Sequence, residues 1–171
     1  MIIKKTYNFK IKNYKLIIKC ILDEHINQKY LSSLKKSKYI LHRNNDEIWQ
    51  KKYINKINST KSKMILGFFH NNELVATSGF QNLQKSLVSV GIFVFDKRFL
   101  NKKMSHFFIA NACIFVNKLL KKKKFKAGFV KKNAKSIMSF EKIGFETYFN
   151  QKKIILKKTT IQKIKSRLRT N

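Results

Sequence analysis

The sequence contains no proline, five glycines and two cysteines, and only eight of its 171 residues are acidic. Each shortage removes a class of protein. No Gly/Ser linker divides the chain and no repeat recurs, which at this length predicts one domain with room for a sizeable core. Cys20 and Cys113 lie in apolar stretches and form no Cys-x-x-Cys pair, so they read as buried, reduced thiols of a cytoplasmic protein. His25, His42, His70 and His106 show no metal-ligand spacing with one another or with a cysteine, and no metal is expected. The N-terminal "MIIKKTYNFKIKN" lacks the uninterrupted apolar core of a signal peptide. No run of about 18 uncharged apolar residues offers a membrane span.

What is abundant is positive charge. Thirty-nine basic residues give a formal net charge of +31, while 43% hydrophobic residues place the chain among folded proteins. Such a charge points to an anionic partner: nucleic acid, acidic lipid or a phosphorylated small molecule. Yet 35 of the basic residues are Lys, and the chain is rich in Asn, Ile, Phe and Tyr, all residues of A/T-rich codons. Codon bias therefore accounts for much of the charge. Binders of nucleic acid favour Arg, whose planar fork suits phosphates and base edges, so nucleic acid is the less favoured partner.

Periodicity predicts the order β, α, α, three consecutive strands, α, β, α, β, β. "YKLIIKCIL" reads as the opening strand, and "DEHINQKYLSSLKKSKYI" as a helix. "NNDEIWQKKYINKI" is a second helix, with Asn45 as its cap and Ile48, Trp49, Tyr53, Ile54 and Ile57 on one face. "KMILGFFH" and "LVATSGFQ" around "NNE" predict a hairpin, and "SLVSVGIFVF" a third strand. An apolar helix follows in "HFFIANACIFVNKLL", with Lys121 to Lys124 suited to its C-terminal dipole. "FKAGFV" is a strand, "NAKSIMSFEKIG" a short helix, and "FETYFN" with "KKIILKK" a last hairpin. Glu141 and Glu146 are expected to face solvent, and Asp96 to end its strand. The tail, 159–171, places Ile161, Ile164 and Leu168 on one face among basic residues and reads as a frayed helix; contact with RNA or an anionic membrane is its other reading. Residues 1–158 would form the domain. This pattern predicts an α/β (α+β) fold: a mixed, mostly antiparallel, twisted sheet with helices on both faces.

Two stretches carry a family resemblance. "NAKSIMSFEKIGFE" (residues 133–146) matches a motif of Asn, Ser or Ala three on, an aromatic, then Lys-x-Gly-Phe. "SVGIFVFDKRFLNKKMSHFFIANA" matches a strand, a phosphate loop and a helix, although no glycine lies between Gly91 and Gly128. With weaker similarity upstream, residues 37–156 resemble the GNAT superfamily of acyl-CoA-dependent N-acetyltransferases. The resemblance implies acetyl-CoA as cosubstrate and a splayed strand pair, residues 86–95 and 125–131. Phe93 and Val94 would meet the pantetheine and thioester through their backbone. Lys102, Lys103, Met104, Ser105 and His106 would hold the pyrophosphate, with Lys103 and Ser105 standing at the family's glycine positions. Asn133, Ser136 and Phe140 would contact the cofactor, Asn133 doubling as a helix cap. Ser89 stands where relatives place a catalytic Glu, and would act by positioning a water; Phe140 stands where they place a Tyr acid.

"SKYILHR…QKKYI" resembles acetyltransferases of bacterial surface-sugar biosynthesis, which act on an amine of a nucleotide-linked sugar. That implies a small anionic amine as acceptor, with Arg43 and Gln81 binding it. The alternatives are an acetyltransferase of protein N-termini, ribosomal proteins included, or a degenerate module of this fold that binds RNA or an anionic membrane.

Overall fold

Alternation of apolar and polar residues builds the first strand of the first hairpin, with Tyr7, Phe9 and Ile11 turned to the core. In the computed structural model, which describes residues 5–38, 44–100 and 104–169, β1 (Tyr7–Ile11) pairs antiparallel with β2 (Tyr14–Cys20). Lys12, at φ 53, helps turn the chain between them. Sequence reading opened the sheet at Tyr14 and missed β1, because Asn8 and Lys10 dilute its hydropathy. Only its period of two marks it.

A 3₁₀ turn (Asp23–His25) leads to α1 (Gln28–Lys36), capped by Asn27, and then to α2 (Glu47–Asn58). The cap of α2 is Asp46, not Asn45: its carboxylate accepts from Trp49 N–H at 2.6 Å. Its buried face is Gln50, Ile54 and Ile57, whereas Ile48 is 64% exposed. Trp49 and Tyr53 stack on each other at 5.0 Å. Gln50 joins the interior because its amide donates to the Asn44 carbonyl, which removes the cost of burying it.

Strands β3 (Lys63–His70) and β4 (Glu73–Gln81) form the expected hairpin, with Asn71 and Asn72 both at positive φ (49° and 64°). Asparagine tolerates that region better than most residues. Strand β5 (Leu87–Val94) follows, then a single turn, α3 (Lys97–Leu100), and the long helix α4 (Ser105–Leu120). The lysine run divides its labour: Lys121 ends α4 in the left-handed conformation (φ 56), and Lys124 already belongs to β6 (Lys124–Val130). Helix α5 (Ala134–Lys142) precedes β7 (Glu146–Asn150) and β8 (Ile154–Thr160). The expected frayed tail is instead a packed helix, α6 (Ile161–Arg169), with Ile161 and Ile164 4% and 0% exposed in the main core.

The eight strands form one sheet in the order β1-β2-β3-β4-β5-β6-β8-β7, and only β5–β6 is parallel. Helices cover both faces, as expected. On the back, α4, α5 and α6 pack over Val88, Val90, Phe125 and Phe129 in the larger core. On the front, α1 and α2 enclose a second core with Phe69, Leu74 and Phe95. Among the described residues no helix lies over the front of β6, β8 and β7: Val130, Ile154 and Phe149 are 48%, 47% and 40% exposed. Among the described residues no helix is long and apolar enough to cross a membrane.

Candidate active site

The parallel pairing of β5 and β6 lasts three residues, from Leu87↔Lys124 to Ser89↔Lys126. Beyond it β5 stays paired with β4 as far as Val94, and β6 with β8 as far as Val130. The facing edges of residues 90–94 and 127–130 therefore have no strand partner, and the two strands open as a V. Each arm is held from behind by its own packing. Val90 and Val94 lie in the core with α4, while Phe129 meets Phe140 edge-on at 4.9 Å. Unpaired backbone N–H and C=O groups along both edges can accept an extended chain that carries amides.

Side chains alternate along these arms. Ser89, Gly91 and Phe93 face the front, where they pair with Gln81, Gly79 and Thr77 of β4. A Cβ built on Gly79 or Gly91 would meet nothing within 4 Å, so the front surface beside the V is an open floor. Ser89 and Gln81 stand together at its lower edge, and Asn82 Nδ2 donates to Ser89 Oγ at 3.4 Å. Val94 faces the back, with its side chain 7% exposed in the core. Only its backbone is open to the V.

Two helix N-termini flank the open end. Helix α4 runs back from the end of β5, so its positive end lies there; Met104, at the N-cap, makes no side-chain capping bond. Met104 is 1% exposed and held by a bond from its N–H to the Phe99 carbonyl, at 3.4 Å. Ser105 opens the helix. His106 is 8% exposed, its ring 4.1 Å from that of Phe107. Helix α5 starts at the end of β6, where Asn133 caps it by accepting from Ser136 N–H. Phe140 is 1% exposed and packs against Phe129 and Phe145. It carries no hydroxyl and lies in the core. Lys102, Lys103 and Arg43 lie outside the described residues.

Asp96 ends β5 as expected and does more. Its carboxylate, 3% exposed, receives Lys29 of α1 at 2.6 Å and Arg98 at 2.7 Å; Arg98 also reaches Glu73 of β4 at 2.8 Å. Burial alone would raise its pKa, but the hydrogen bonds from Arg98 and Lys29 outweigh burial and hold the carboxyl well below its ordinary range. The cluster ties α1 to the end of β5 beside the V.

No family model matches the sequence, and no curated protein matches it either. Solved structures do match the fold. RimJ of Mycobacterium smegmatis, in complex with CoA-disulfide, is similar at TM-score 0.77 and 9% identity, over 97% of this chain and 94% of that one. An acetyltransferase of the GNAT family from Streptococcus pneumoniae matches at TM-score 0.63 and 13% identity, over 85% and 99% of the two chains. This chain has the GNAT fold. The ribosomal-protein-S5-alanine acetyltransferase of Vibrio fischeri shares it at TM-score 0.69 and 12% identity, over 90% of this chain and 96% of that one.

Within the GNAT fold, the structure brings Ser89, Gln81, the Phe93 side chain and the Val94 backbone to one V, and places Met104, Ser105 and Asn133 at its open end. The Phe93 backbone, expected to meet the cofactor, instead faces β4, because successive peptide groups of a strand point to opposite edges. Sequence reading missed Gly79, which completes the floor, and Lys126, which stands beside Ser89 on β6. The signal for Lys126 was present. Phe125, Ala127 and Phe129 alternate inward, so Lys126 must face the front.

Proposed function

We propose that the chain is an N-acetyltransferase that uses acetyl-CoA to acetylate a primary amine on a small anionic acceptor, an amino-sugar nucleotide of surface-polysaccharide synthesis being the favoured class. The V between β5 and β6 carries this reading. An extended pantetheine arm fits its unpaired edges, and the N-termini of α4 and α5 at its mouth suit a pyrophosphate. Acetyl-CoA supplies the activated acetyl group as a thioester.

The chain's part is positioning. The backbone N–H of Val94 faces the V and stabilises negative charge as it develops on the carbonyl oxygen of the thioester, whereas the N–H of Phe93 lies on the opposite edge of the strand, toward β4. Glycines 79 and 91 let an acceptor amine approach the front of that carbonyl without a side chain in the way. The amine must lose a proton to become a nucleophile, and Ser89, with Asn82 beside it, orients the water that removes it. The amine nitrogen bonds to the acetyl carbon, the carbon–sulfur bond breaks, and CoA thiolate leaves. Phe140 has no proton to give, so the surplus proton left on the new amide nitrogen passes through water in the cleft to the thiolate. Holding two reactants in line supplies much of the acceleration even without a strong base.

The test is calorimetric titration with acetyl-CoA. Saturable heat is expected with a dissociation constant of about 1 µM to 1 mM, weaker for Lys103→Glu. Absence of heat at millimolar acetyl-CoA would overturn the enzyme reading. Equal binding by Lys103→Glu would remove the lysine loop from the pyrophosphate site.

A further inference from the structure

One row of residues crosses the front of the sheet at the base of the V: Gln81 on β4, Ser89 on β5, Lys126 on β6 and Lys158 on β8. Lys126 and Lys158 are direct antiparallel partners. Like charges in that position repel and destabilise a sheet. Lys126 is half-buried, and its ammonium has no hydrogen bond or ion pair among the described residues. Lys158 has an aromatic partner, its ammonium lying 5.2 Å from the centroid of Tyr148. Glu146 stands opposite Lys158 on β7, but its carboxylate is engaged by Lys163. Two adjacent cations are thus left without an acid on a part of the sheet that no helix covers among the described residues.

The next row up supplies the complementary chemistry. Gly128, Leu156 and Phe149 pair across β6, β8 and β7, and a bulge at Tyr148 adds a second ring beside Phe149. Both rings are 40% exposed. With Val130 and Ile154 they account for half of the eight large hydrophobic side chains exposed among the described residues. Strand geometry puts the Phe149 backbone about 8 Å from that of Lys158, two residues along and one strand across. An aromatic shelf that far from a pair of cations fits a ligand with an anionic group joined to a flat ring.

We propose that the front of β6, β8 and β7 is the acceptor subsite and that it recognises a nucleoside diphosphate: Lys126 and Lys158 hold the diphosphate, and Tyr148 and Phe149 take the base. Charge complementarity selects this occupant, because a dianion between the two lysines removes the repulsion the empty sheet carries. The row also fixes direction. Ser89 adjoins Lys126 on the side of the V, so a group on the far end of the diphosphate reaches the floor at Gly91. This assignment rests on the acetyltransferase reading for its catalytic meaning, but binding at the subsite is measured without it.

The experiment titrates the protein with UDP, with inorganic pyrophosphate and with uridine, each with and without saturating CoA. UDP is expected to bind in both cases and more tightly than pyrophosphate or uridine. Lys126→Ala and Phe149→Ala should each weaken UDP by about tenfold, the scale of one lost charged contact or stacked ring, with CoA affinity within about twofold of wild type. Lys126→Ala removes a repulsive pair, so its melting temperature should not fall, and loss of binding cannot be assigned to unfolding. Displacement of UDP by CoA, equal binding by Lys126→Ala, or pyrophosphate binding as tightly as UDP would overturn the assignment. So would binding of an acidic peptide where UDP gives no heat. Acetyl-CoA binding without UDP binding would sink this subsite and leave the acetyltransferase standing.

Discussion

Gly91 shows how one missing side chain can serve a site without serving the fold. Its backbone is not in the left-handed region and a Cβ would meet nothing, so neither turn geometry nor packing demands glycine there. Gly144 is the contrast: at φ +85, and with Lys163 Cγ 2.7 Å from a built Cβ, it is required by the fold. Gly91→Val should therefore leave the melting temperature within about 2 °C of wild type. Acetyl transfer should fall by tenfold or more as the branched side chain fills the floor. Retained activity would mean the amine does not approach over Gly91. The glycine was visible in the sequence as part of a strand motif. Its partner Gly79 was not, because only the β4–β5 register places the two side by side.

Elements end and join through residues whose part the sequence showed unevenly. Lys121 was read as one of four lysines facing a helix dipole; in the structure it is the left-handed cap, its N–H bonded to the Asn117 carbonyl at 2.9 Å. A non-glycine residue there costs about 1 kcal/mol. Lys121→Gly should raise the melting temperature by about 2–4 °C for a chain of this size, measured by thermal denaturation. Asp96 joins elements more firmly, since it binds α1 through Lys29 and the β4 end through Arg98 and Glu73. Its folded pKa lies below the ordinary 3.8, so its contribution is complete above that value and is lost as pH falls beneath it. Asp96→Asn should cost about 2 kcal/mol near neutral pH, with Lys29 and Arg98 only half-buried. It should also flatten the fall in stability between about pH 4 and pH 2. An unchanged acid limb in urea melts at several pH values would show that the cluster adds nothing. Glu141 faces solvent as expected, its side chain 48% exposed, and it also pairs with Lys157, whose side chain is only 4% exposed. The pairing follows from α5 lying over β8, a contact no local pattern announces.

Across the whole molecule, repulsion dominates the electrostatics: 39 basic residues face only eight acids, several of which are committed to ion pairs, and a net charge of +31 remains. Added salt should therefore stabilise the fold, raising the melting temperature by several degrees between about 0.05 and 0.5 M NaCl as repulsion is screened. A fall would mean that local ion pairs outweigh the net charge. The same sequence determined by itself the strands and helices whose periods are local: the Asn71–Asn72 hairpin, the apolar length of α4, the Asn133 cap, the mixed sheet with helices on both faces. Those depend on neighbours within a few residues, and a linear string contains them. What only the tertiary structure decided are the places where distant segments meet: the opening of β5 from β6, the packing of α6 into the core, the row from Gln81 to Lys158. Register between strands is set by the sum of many weak packing contacts over the whole sheet, and no stretch of the chain holds that sum.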